Sequence, residues 1–179
     1  MSESKSYDGL AKTLHWLIAV IVILMLIAGR TLEDLPLDER VQIIMVHSGL
    51  GTLVFVLMLA RLAWRMTHTP PTQDTMPPWQ EKSSLLVHWA FYGLLLLQPV
   101  FGLLQAAYID YQVLAFGVLD YSGLAVDNKD MHKLFHRLHG LNATVLSLLV
   151  LIHAAAALIH HFYQKDNVLR RMWPRAKLL

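Results

Sequence analysis

The stretch from Leu138 to Tyr163, LHGLNATVLSLLVLIHAAAALIHHFY, decides the fold. As an α-helix rising ~1.5 Å per residue it outreaches the ~30 Å hydrocarbon thickness of a bilayer. It contains no Asp, Glu, Lys or Arg, yet it carries His139, His153, His160 and His161. Ionisable side chains are costly in hydrocarbon, and where they occur they face a bundle interior and mark function. The purpose of these imidazoles is therefore the question the sequence poses.

Composition bounds the answer. The chain has 179 residues, 55% of them hydrophobic and only 16% charged, with a mean hydropathy of +0.44. That is too apolar for an ordinary soluble domain of this size. Cysteine is absent, which excludes disulfides, thiolate zinc sites and cysteine-ligated iron–sulfur clusters. Ten histidines remain as the main chemical resource. The beginning, MSESKSYDGLAKTLHW, has no short apolar core followed by a small-residue cleavage site, so no cleaved signal peptide is expected.

Four apolar segments, 10–32, 41–64, 85–109 and 138–163, are long enough to cross a membrane. The expected fold is an all-α integral membrane four-helix bundle forming a single domain over 1–179. Prolines in PPTQDTMPP prevent the second span from running into the third. With four spans, the termini and the middle connection share one side. That side holds Lys5, Lys12, Arg61, Arg65, Lys82, Lys165, Arg170, Arg171, Arg175 and Lys177. The other side has Arg30, Arg40, Lys129, Lys133 and Arg137, with eight acids. The excess of cations places both termini in the cytoplasm by the positive-inside rule. The basic tail RRMWPRAKLL reads as an anchor at the membrane surface rather than a nucleic-acid patch.

Helical spacing orders the histidines. His139 and His153 are fourteen residues apart, hence only about 40° apart around the helix and ~21 Å apart along it. His47 lies six residues inside the second span, at the outer level of His139, and His15 lies near the inner start of the first, at the level of His153. Two stacked pairs result. A lone histidine in a span is adequately explained by structural hydrogen bonding, but four at matched depth and facing point to axial ligation of two haem irons. Gly49, Gly51 and Gly140 would let a flat macrocycle approach the backbone, although helix packing also favours them.

The other candidates carry alternatives. His136 competes with His139 but lies about 100° from the direction of His153, which places it at the outer interface. His132 and His68 fall in connections and are expected in solvent. His88 stands near the inner start of the third span, a minor candidate ligand. His160 continues the face of His153 nearer the cytoplasm, where it suits a haem propionate, a quinone oxygen or simple interfacial polarity; His161 is read as interfacial. Arg61 is fourteen residues after His47, a position suited either to a propionate or to snorkelling toward headgroups. Arg30 offers the same at the outer site.

The pieces LHWLIA, VHSGLGTLVFVLMLARLAWR, LLVHWAFYGLLLLQPVFGLL, AFG and LIHAAAALIHHFYQKDNVLRRMWP resemble the bacterial cytochrome b561 family along nearly the whole chain. The resemblance implies two haem b groups with His15, His47, His139 and His153 as axial ligands. One branch of that family oxidises periplasmic superoxide and reduces ubiquinone, and the HAAAALIHHF ending resembles that branch. Lys129, Lys133, Arg137 and Arg30 would then draw the anion locally to the outer haem edge, against the eight acids on that side. Other relatives serve as haem-bearing subunits for dehydrogenases and hydrogenases, so an electron conduit fed by a protein partner is the competing reading. A histidine-lined metal transporter is more remote. The partners expected are the lipid bilayer, superoxide and ubiquinone, and no nucleic acid.

Overall fold

The computed structural model describes residues 6–32, 35–71 and 76–174. Four long helices dominate: α1 (Gly9–Thr31), α2 (Leu37–Thr67), α3 (Pro78–Ala107) and α4 (Lys129–Ile159). A π-helical turn, His160–Gln164, extends α4 before the short α5 (Val168–Met172). All four long helices are long and apolar enough to span a membrane. The chain is an all-α four-helix membrane bundle.

Each helix starts where the sequence supplies a cap or a proline. Asp8 accepts the Ala11 N–H at 2.9 Å to open α1. Pro36 precedes α2, and Pro77 with Pro78 fixes the first turn of α3. Asn128 Oδ1 accepts the N–H groups of Asp130 and Met131, both at 3.1 Å, and thereby starts α4. The helices consequently reach beyond the apolar stretches that reveal them. α3 begins seven residues before Leu85, and α4 nine before Leu138.

The connection between α3 and α4 holds a small hairpin absent from the sequence reading. β1 (Leu114–Ala115) and β2 (Leu119–Asp120) pair antiparallel, with Leu114 opposite Asp120 and Ala115 opposite Leu119. At its tip Phe116 and Gly117 have φ of 51° and 72°. The Phe116 ring rests where a Gly49 side chain would stand, and its N–H donates to the Met45 carbonyl at 3.1 Å. Tyr121 reaches from the same segment to the Thr52 hydroxyl. The hairpin is thus clamped onto the half of α2 remote from Ser6 and Met172, called the outer half below.

Leu14, Ile18, Val54, Met58, Tyr92, Leu95 and Leu146 form the core of the bundle. Leu86, Leu151 and Ile152 are among many large apolar side chains left exposed on its outside. Water would penalise that surface, and lipid would not. α4 packs its backbone closely along α3 but stands off from α1 and α2. At the terminal face Ser6 Oγ donates to the Arg171 carbonyl at 3.1 Å, and Trp16 Nε1 to that of Met172 at 2.8 Å. Ser6 and the α5 segment therefore meet on one side of the bundle. Lys5, Arg175 and Lys177, used above in the charge comparison, lie outside the described residues.

Candidate functional site

Two imidazole pairs bridge the intervals that α4 leaves to α1 and α2. His47 and His139 have ring centroids 6.2 Å apart, and His15 and His153 6.3 Å. The pairs are separated by ~21 Å along α4. All four rings are mostly withdrawn from solvent, as their place inside the bundle requires.

The outer pair is held by α3. The Gln98 carbonyl can only accept, so the proton of its 3.1 Å bond with His139 belongs to Nδ1. That tautomer leaves the lone pair on Nε2, which takes a 3.0 Å bond from Gln98 Nε2. Asn142, one turn further along α4, donates to the Leu94 carbonyl at 3.0 Å and to Gln98 Oε1. An amide network thereby fixes both the orientation and the tautomer of His139. His47 Nδ1 is buried without a hydrogen-bond partner among the described residues.

Comparison with known proteins adds the family. The family model described as prokaryotic cytochrome b561 matches residues 6–175. The chain belongs to the prokaryotic cytochrome b561 family. Among its relatives is cytochrome b561 homolog 1 of Escherichia coli (strain K12), 32% identical over 92% of this chain and 94% of that one. A probable superoxide oxidase CybB of Yersinia pestis is 28% identical over 97% and 98%. Cytochrome b562 of Cereibacter sphaeroides is 30% identical over 96% and 98%.

Membership in the b561 family implies haem b and membrane electron transfer in a multi-pass bacterial membrane protein. The residues present fit such a group. A metal–imidazole bond is about 2 Å long, so two rings facing one ion hold their centroids about 6 Å apart. Both observed spacings accommodate an ion between the rings. Glycines stand beside the outer pair. A Cβ on Gly29 would lie 3.6 Å from His47 Cε1, and one on Gly102 only 3.2 Å from His139 Cε1.

Those are not the glycines singled out in the sequence. Gly49 houses the Phe116 ring, Gly51 faces Met25, and Gly140 meets nothing within 4 Å. The inner level also gains a third imidazole: His88 has its ring 5.8 Å from that of His153, with Phe91 at 5.3 Å. Arg61 Nη1 donates to the Ala11 carbonyl at 3.0 Å, one turn before His15. Its guanidinium therefore belongs to the inner level.

The remaining candidates fall near the bundle ends. His160 Nδ1 lies 2.5 Å from Asp166 Oδ2, and the same carboxylate accepts the Val168 N–H at 2.9 Å. His161, in the π-helical turn that closes the fourth span, has its Nδ1 buried without a partner among the described residues. His132 is not the solvated loop residue expected from the sequence. It stands in the first turn of α4, and its Nδ1 donates to the Gln105 carbonyl at 2.8 Å. His136 is exposed beside Gln105 Oε1, at 3.3 Å, as an outer-interface position demands. His68 is exposed and stacks on Trp64 with centroids 3.6 Å apart. Arg30, Lys129, Lys133 and Arg137 are all exposed at the outer end.

Proposed function

We propose that this b561-family protein is a dihaem b oxidoreductase of the bacterial inner membrane. In this reading it oxidises superoxide outside, reduces ubiquinone, and keeps both termini in the cytoplasm. His47 with His139 would hold one haem and His15 with His153 the other, through their imidazole nitrogens. The observation that carries the reading is the presence of two imidazole pairs of nearly equal spacing at two levels of one helix. The printed name of the Yersinia pestis relative supports the choice of substrate.

Haem b, when bound, supplies the one-electron relay between the two faces. The chain does the rest. Gln98 holds His139 with Nδ1 protonated, which leaves Nε2 as the atom that would coordinate the iron. A carbonyl bonded to the far side of an imidazole fixes its orientation and raises its basicity. Lys129, Lys133 and Arg30 attract a small anion to the outer end over a range limited by screening. Arg61 neutralises a propionate at the inner level. His160, aligned by Asp166, contacts the quinone oxygen and passes it a proton. Two superoxide ions give up one electron each, becoming dioxygen, and one ubiquinone takes two electrons and two protons.

Stopped-flow absorption of purified protein tests the reading. Superoxide alone should reduce the haem within the mixing experiment, and added ubiquinone should reoxidise it. Haem that stays oxidised under superoxide, yet is reduced by a docked protein donor, would assign the chain to the electron-conduit reading instead.

A further inference from the structure

At the terminal face a cavity of about 430 Å³ opens between the start of α1, the end of α2 and the middle of α3. Tyr7, Arg61, Trp64, Arg65 and Tyr92 line it. The proposed redox route uses only Arg61 of these. The acid at the rim, Asp8, already accepts the Ala11 N–H at 2.9 Å and the Trp64 indole N–H at 3.0 Å. Burial works against its ionisation, but those hydrogen bonds outweigh it and hold the carboxyl below its usual range. It is therefore a committed carboxylate.

Neither Arg61 nor Arg65 forms an ion pair among the described residues. Two guanidinium groups thus share a partly enclosed space with one carboxylate that is engaged elsewhere. Tyr7 adds a largely buried phenol. Burial raises its pKa, with Arg65, Arg61 and Arg171 pulling the other way, so the phenol stays a neutral O–H donor. The Arg65 guanidinium fork and a phenolic hydroxyl make a donor set for a tetrahedral oxyanion, with Arg61 adding positive charge from the Ala11 side. The indole and phenol rings of Trp64 and Tyr92 give the same cavity an apolar wall. It lies where α1 begins and α2 ends, at the boundary of two spans, the level at which aromatic and cationic side chains meet lipid headgroups.

We infer that this cavity binds a phosphate-bearing anion, presented to it as the headgroup of an anionic phospholipid. Arg65 and Tyr7 are its specific contacts, and Arg61 stays on the Ala11 carbonyl side of the cavity.

The test uses haem-loaded full-length protein in nanodiscs of phosphatidylcholine, alone or mixed equally with phosphatidylglycerol. Native mass spectrometry reads the retained lipid, and a thermal shift reads added inorganic phosphate in the phosphatidylcholine discs. The wild type should retain phosphatidylglycerol over phosphatidylcholine by on the order of tenfold, the factor set by one strong charged contact. Arg65→Gln should abolish that preference with haem content unchanged. Tyr7→Phe should weaken it, and keeps the test decisive if Arg65→Gln fails to fold. A phosphate-induced shift without lipid preference would keep the anion site and make its ligand a soluble phosphate. Equal retention of both lipids with no phosphate effect overturns the inference. Loss of haem from Arg65→Gln also overturns it, because the cavity would then serve the carboxylates of the inner haem.

Discussion

Gly49→Ala tests how the outer hairpin is fastened. The new Cβ would stand 2.6 Å from Phe116 Cε1, where ordinary contact begins at 3.4 Å. The ring must retreat by more than the difference at that atom, 3.4 − 2.6 = 0.8 Å, because Phe116 Cγ and Cδ1 stand closer still. It has little freedom to do so. Its backbone holds a φ of 51°, and its N–H is bonded to the Met45 carbonyl at 3.1 Å. Overpacking of this kind costs about 1–3 kcal/mol. We expect Gly49→Ala to release the hairpin, seen as faster hydrogen exchange at the Phe116 amide and a lower melting temperature. Phe116→Ala removes the obstacle, so in that background Gly49→Ala should cost less than about 0.5 kcal/mol. Additive losses in the double variant, or an unchanged Phe116 amide in the single one, would refute the contact.

Two further outcomes concern the supports of the site. Asn142→Ala leaves Gln98 without its anchor and should destabilise the holoprotein by about 1–3 kcal/mol in thermal unfolding; an unchanged midpoint would remove the amide network from the account. Asp120 accepts from Ser122 Oγ at 2.6 Å, from Gln112 Nε2 at 3.1 Å and from the Ser122 N–H at 3.0 Å. Those bonds, the Ser122 side chain first, hold its carboxyl below the usual 3.8. A depressed native pKa stabilises the loop above 3.8, and that contribution fades as pH falls through the native value. The Ser122 amide resonance should therefore titrate below 3.8, and a midpoint above it would contradict the bonding.

The two histidine pairs were legible because both members on α4 lie on one continuous apolar helix, where residue spacing converts directly into direction and depth. The depth of His88 was less legible for a related reason. Hydrophobicity begins at Leu85, but Pro77 and Pro78 start the helix seven residues sooner. His88 is accordingly three turns into α3 and level with His153, not at its threshold. The Asn128 cap does the same for His132, converting an expected loop residue into part of α4. The hairpin left no periodic signal, since its strands are two residues each. Gln98 and Asn142 are single amides in apolar runs, and only the close packing of α3 on α4 reveals that they meet.

Haem stoichiometry across the four histidine variants tests the central claim most directly. Pyridine haemochrome analysis of wild type should give two haems per chain. His47→Ala and His139→Ala should each lose one and leave the same residual spectrum, while His15→Ala and His153→Ala should each leave the other. A wild type with fewer than two haems, or loss of the same haem from His15→Ala and His47→Ala, would contradict the pairing.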